Sequence, residues 1–133
     1  MNQRIDFLAR AGGELTGTVS VPGDKSVSHR SIMLGALAEG TTHVQNFLTG
    51  EDCLATLRAF RAMGVEIEQP QASEVIIHGV GMHGLQAPEG ALDVGNSGTS
   101  IRLMTGLLSA QAFDTELTGD QSLRGRPMGR VID

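Results

Sequence analysis

VPGDKSVSHRS, residues 21–31, begins with a Pro-Gly break and runs into alternating serines, a histidine and an arginine. Before it, residues 14–21 (ELTGTVSV) carry the Thr- and Val-rich, two-residue alternation of a strand. After it, Ile32, Met33, Leu34, Leu37 and Ala38 fall at helical spacing, and Gly40 stands where a left-handed stop is wanted. The stretch therefore reads as a turn from strand to helix, with Ser26 or Ser28 placed to cap the first turn. It also holds Lys25, the only lysine in the chain.

Outward from this turn, residues 42–48 (THVQNFL) read as a strand. Residues 49–52 resemble a helix start, with two acids placed favourably for the dipole, and Leu54, Leu57, Phe60 and Met63 give an apolar stripe closed by Gly64. Two strands follow, VEIEQ (65–69) and EVIIHGV (74–80), joined as a hairpin through residues 70–73. Beyond Pro88 the order restarts: a strand at ALDV (91–94), a helix over 97–109, a strand at FDTELT (113–118) and another glycine turn. Gly23 precedes Arg30 by seven residues and Gly95 precedes Arg102 by seven, while TGEDCL at Thr49 is answered by TGDQSL at Thr118. This is an internal repeat of a β-α-β-α-β-β unit, complete once (14–86) and incomplete the second time (87–133), so the chain reads as a truncated α/β protein.

The totals exclude several classes. The chain has 133 residues, of which 40% are apolar, a globular composition that fits one domain. Aromatic residues make up 3%, with no Trp or Tyr, and the net charge is -5, so nucleic acid is not an expected partner. No apolar run is long enough to span a bilayer and the N-terminus lacks a signal-peptide core, so the expected setting is the cytoplasm, with no membrane partner. One cysteine cannot form an internal disulfide. Charge is unevenly spread: Lys25, Arg30, Arg102, Arg124, Arg126 and Arg130 against Asp24 and Asp120 give three glycine-containing windows a balance of +4, leaving -9 for the remainder. Such a chain is suited to bind a small anion locally while repelling polyanions.

Three apparent motifs are set aside. GVGMHG (79–84) matches a dinucleotide pattern, but Pro88 follows where a helix should open. His43, His78 and His83 have no carboxylate or cysteine spacing of a metal site. Cys53 reads as a packing residue, because Glu51 and Asp52 beside it oppose a thiolate. What remains is the repeated glycine turn and helix start, where unpaired amides and the helix dipole favour phosphate. Ser26 and Ser28 add hydroxyl donors, Arg30 a planar fork, and Lys25 a mobile point charge. In DVGNSGTSIR (93–102), Asn96 and Thr99 offer polar contacts and Arg102 takes the place of Arg30. GDQSLRGRPM (119–128) brings Arg124 and Arg126 before Pro127, placed to start a helix.

PGDKSVSHRS, LDVGNSGTSIRL and GDQSLRGRPM, in this order and spacing, closely resemble the bacterial 5-enolpyruvylshikimate-3-phosphate synthase family, the 3-phosphoshikimate 1-carboxyvinyltransferases. The resemblance covers essentially the whole chain. It implies the enolpyruvyl transferase fold, an α/β architecture of repeated β-α-β-α-β-β units, with about one and a half units of the N-terminal domain in this chain. Residues 1–13 would be an opening segment that packs with the other domain, and residues 14–133 part of the N-terminal domain. The implied reaction moves the enolpyruvyl group of phosphoenolpyruvate to the 5-hydroxyl of shikimate 3-phosphate, in the shikimate pathway to aromatic amino acids, through a tetrahedral adduct that eliminates phosphate, with no metal or organic cofactor.

By match to the family motifs, Lys25 would touch both substrates, Ser26 and Arg30 would hold shikimate 3-phosphate, and Thr99 would lie against it. Asn96, Gly98 and Arg126 would line the phosphoenolpyruvate side, with Lys25 and Arg126 the catalytic pair. Gly98 stands where glyphosate-tolerant relatives carry alanine, which implies a parent enzyme that binds glyphosate. The family's acid/base carboxylates and its second set of cationic ligands would lie beyond Asp133, in a C-terminal part that would be this chain's partner, so the chain alone is expected not to turn over. Two alternatives stand beside this: a non-catalytic phosphate-binding or structural fragment, and the sister transferase acting on UDP-N-acetylglucosamine. The latter characteristically carries a reactive cysteine in the turn that here reads GDQSLRGRP.

Overall fold

The computed structural model describes residues 6–132. Residues 1–5 of the expected opening segment, and Asp133, lie outside the described residues. The element order is α1 (Lys25–Leu37), β1 (Glu39–Gln45), α2 (Glu51–Ala62), β2 (Glu66–Gln71), β3 (Glu74–Val80), β4 (Leu92–Asp93), α3 (Gly98–Leu108), β5 (Leu117–Thr118), α4 (Gln121–Arg124) and α5 (Gly129–Ile132). An antiparallel sheet takes the order β1-β3-β2, and β4 pairs with β5 in parallel. The hairpin, the second strand-helix-strand passage and the α2 stripe expected from the sequence are all present, and the architecture is α/β.

Burial follows the pleat and the helical stripes. On β3, Val75 and Ile77 are buried while Ile76 and His78 face partly outward. Val75 and Ile77 meet Ile32, Met33 and Ala36 of α1, Leu57 and Phe60 of α2, and Met104 and Leu108 of α3 in one core. The sheet thus backs the helices on one side only. Leu34, expected in the apolar stripe of α1, is instead 67% exposed.

Four local expectations are corrected. Residues 14–21 form no strand: Leu15, Val19 and Val21 are 102%, 86% and 72% exposed, and no ladder is drawn to this segment. Alternation marks a chain able to pair, but a strand exists only where a neighbour supplies hydrogen bonds. α1 is capped by Asp24, not by Ser26 or Ser28, because its carboxylate accepts from Val27 N at 2.7 Å. Ser28 instead donates to the Asp24 carbonyl and accepts from Leu48 N, tying the loop after β1 to the helix start. Gly40 does not stop α1; the helix ends at Leu37, and Gly40 sits in β1 at φ 93°. Finally, Pro127 opens no helix; α5 starts at Gly129.

Candidate anion site

Three helix openings build the site. Gly23 brings the start of α1 against the loop after β1: a Cβ there would stand 1.8 Å from the Asn46 carbonyl oxygen, so only glycine admits the crossing. Ser97 caps α3, accepting from Ser100 N at 3.0 Å. Asp120 caps the short α4, accepting from Leu123 N at 2.8 Å. That amide, followed by the Asn96 side chain, holds the Asp120 carboxyl below its ordinary range.

Between them lies an open cleft of about 480 Å³, lined by Lys25, Arg30 and Asp52 on one side and by Asn96, Gly98, Thr99, Arg102, Leu103, Arg126 and Arg130 on the other. Five cations face one carboxylate. This concentration of positive charge, in a chain of net charge -5, favours a small multiply charged anion over an extended polyanion. Lys25 Nζ donates to Asp52 Oδ2 in an ion pair, so an incoming anion must compete with that carboxylate.

The arginines are held rather than loose. Arg30 donates to the Ser26 carbonyl at 3.1 Å and Arg102 to the Gly98 carbonyl at 2.8 Å, the same four-residue back-bond in both copies of the repeat. Arg102 also reaches the Pro127 carbonyl at 3.2 Å. Asn96 donates to Asp120 at 2.8 Å and accepts from Arg126, which places the Arg126 fork over the start of α3. A Cβ on Gly98 would stand 2.7 Å from Arg126 Nη1 and 2.8 Å from Arg102 Nη1.

Of the residues named from the sequence, Lys25, Arg30, Asn96, Gly98, Thr99 and Arg126 share this cleft. Ser26 is exposed on α1 and is not among its lining residues, and Arg124 is turned to the Gly119 carbonyl and Thr118 hydroxyl instead. Asp52 is the residue that sequence reasoning placed only as a dipole partner of α2; its approach to Lys25 is a tertiary contact that no local spacing signals. Cys53 is buried and its thiol is pushed up by burial, against the opposing pull of Lys25, in keeping with a packing role. The reading of the histidines needs one correction. Cross-strand pairing sets His78 opposite Glu66, and Glu66, Glu68 and His78 offer ligand atoms within 4.8 Å of one another on the exposed sheet face. His78 Nε2 is already hydrogen-bonded to Glu68 at 2.8 Å.

Among the described residues no helix is long and apolar enough to cross a membrane. Helix openings that surround a cationic cleft on this frame define an α/β protein with a cleft whose charge suits a small anion. The chain belongs to the EPSP synthase (3-phosphoshikimate 1-carboxyvinyltransferase) family, whose model matches residues 9–133. It is 64% identical over 129 residues to 3-phosphoshikimate 1-carboxyvinyltransferases of Alkalilimnicola ehrlichii and of Methylococcus capsulatus, covering 97% of this chain and 29% and 30% of those proteins. A solved EPSP synthase from Acinetobacter baumannii is similar with a TM-score of 0.82 and 70% identity, over 86% of this chain and 26% of that one. The chain thus spans less than a third of the length of these relatives.

Proposed function

We propose that this chain supplies the N-terminal share of an active site that transfers the enolpyruvyl group from phosphoenolpyruvate to the 5-hydroxyl of shikimate 3-phosphate in the cytoplasm. The observation that carries the reading is the cleft holding Lys25, Arg30, Arg102 and Arg126 at the openings of α1 and α3, in a chain whose relatives bear that enzyme's name. In the reaction the substrate hydroxyl adds across the enol double bond: oxygen bonds to C2, and a proton arrives at C3. The adduct then loses a proton from C3 and phosphate from C2, leaving the enolpyruvyl ether.

This chain's residues serve the charges in that sequence. Arg30 and Lys25 would hold the phosphate of shikimate 3-phosphate, with Thr99 beside it and Ser26 at the rim. Arg126, oriented by Asn96, would pair the phosphoenolpyruvate anion. Lys25, a compact ammonium on a flexible stem, would follow charge between the two ligands as Asp52 releases it, which the fixed guanidinium fork does less well. The groups that donate and remove protons would come from the remaining length of such a protein.

A second reading is favoured by one fact, the chain's coverage of only 29% of a relative: a structural fragment that neither turns over nor binds the substrate. Calorimetric titration separates the readings. Saturable binding of shikimate 3-phosphate, with none of UDP-N-acetylglucosamine, supports the proposal, and no phosphate release is expected from the chain alone. Absence of shikimate 3-phosphate binding, or preference for the nucleotide sugar, would overturn it.

A further inference from the structure

His29 is fully buried between two residues' reach of the cleft, Lys25 and Arg30 on its own helix, yet the proposed chemistry makes no use of it. Its Nδ1 lies 2.8 Å from Thr56 Oγ1 of α2 and 3.3 Å from Ser100 Oγ of α3. Thr56 and Ser100 hydroxyls are 2.7 Å apart, and Ser100 donates to Ser97 Oγ at 2.6 Å. Ser97, Ser100 and Thr56 are buried as well. Four polar side chains from three helices therefore form one dry chain of contacts, and it ends on the residue that caps α3.

The proton positions in this chain follow from acceptor supply. Ser97 Oγ already accepts from the Ser100 amide and hydroxyl, so the one Thr56 hydroxyl proton goes to Ser100 Oγ at 2.7 Å or to the Asp52 carbonyl at 3.3 Å. Thr56 Oγ1 is then left to accept, and the donor in reach is the ring N–H at Nδ1. His29 Nε2 is buried without a hydrogen-bond partner. A proton there would leave a buried N–H with no acceptor, whereas a bare ring nitrogen in an apolar setting carries no donor to satisfy.

We infer that His29, as the neutral Nδ1–H tautomer, is a positioning residue that locks the opening of α3, with Asn96, Gly98 and Thr99, to the opening of α1, with Lys25 and Arg30, through the Thr56 hydroxyl. Thr56 sits one turn beyond Asp52, whose carboxylate holds Lys25, and its hydroxyl also lies 3.3 Å from the Asp52 carbonyl. Ser100 is the chain neighbour of Thr99. The network thus fixes both walls of the cleft from the protein interior, and only its consequence for ligand affinity rests on the function proposed above.

Nitrogen-15 NMR of the imidazole in the 133-residue chain at neutral pH tests it, together with backbone amide shifts in three variants. A protonated Nδ1 and bare Nε2 are expected; an Nε2–H tautomer or an imidazolium would overturn the inference. Thr56→Val, which keeps the volume and removes the hydroxyl, and His29→Leu should displace the amide resonances of Gly98 and Thr99. His29→Asn, whose amide donates from the place of Nδ1, should restore them. With inorganic phosphate as probe, Thr56→Val should bind about tenfold more weakly and His29→Asn should bind nearly as the parent does. If His29→Leu fails to fold, Thr56→Val still decides. If the parent itself binds no phosphate, the reading of the cleft fails while the tautomer and amide shifts continue to judge the positioning role. Unmoved amides at Gly98 and Thr99 in Thr56→Val would sink it.

Discussion

Lys25 and Asp52 pair within the cleft. Their ion pair is partly exposed, so its own contribution to stability is small, but it occupies the ammonium that an anion would use. Asp52→Asn should therefore tighten inorganic phosphate binding severalfold with little change in melting temperature; equal or weaker affinity by calorimetry would count against the competition. Gly98 makes the opposite case. The two atoms that an added methyl would crowd are ends of flexible arginine side chains, Arg126 Nη1 and Arg102 Nη1. Gly98→Ala should leave the fold intact, with a melting temperature equal to or above the parent's because alanine restricts the unfolded chain. It should weaken phosphate binding by shifting both guanidinium groups, and an unaltered affinity would contradict that assignment. Lys25, Arg30, Asn96, Gly98 and Thr99 were legible in the sequence because each sits at a fixed offset from the opening of α1 or α3, and Arg126 through the motif GDQSLRGRPM. Asp52, His29 and Thr56 were not, because their partners lie 27 residues or more away along the chain.

At the scale of elements, helices were more legible than strands. α2 could be placed because its acids, its apolar stripe and Gly64, at φ 85°, are local features. The segment 14–21 could not, since its alternation says nothing about whether a ladder is there to receive it. Capping was not legible: the sequence pointed to Ser26 or Ser28, whereas Asp24 caps α1 and Ser28 is occupied by Leu48 N, a donor from the loop after β1. Asp24→Ala should cost about 1 kcal/mol of stability in urea unfolding, as caps generally do. Ser26→Ala should cost far less, and the reverse order would refute the assignment.

Packing of α1 against α2 and α3 also gives stability a pH dependence. Burial, followed by the smaller opposing pull of Asp52 and the push of Lys25 and Arg30, lowers the His29 pKa in the folded chain. Above about pH 6.5 both folded and unfolded chains hold this ring neutral, so stability is at its full value there. As pH falls through that value the unfolded chain binds the proton first, and stability declines until the lower folded-state pKa is reached. Urea unfolding at pH 7.5 and 5.5 should show this loss, and His29→Asn should remove it; an equal loss in the variant would assign the effect to other groups.

Across the described residues, the openings of α1, α3 and α4 meet at one cationic cleft, and the sequence outside the three glycine-containing windows carries a balance of -9. Under the proposed function, that division would let a chain of net charge -5 attract a phosphorylated metabolite at one place. The most direct measurement of this account is an NMR titration of the 133-residue chain with shikimate 3-phosphate, followed at each backbone amide and at the arginine side chains. Saturable shifts centred on Lys25, Arg30, Asn96, Thr99 and Arg126, and weakened by added salt, are predicted. Saturation elsewhere on the surface, or no saturable change at all, would contradict it.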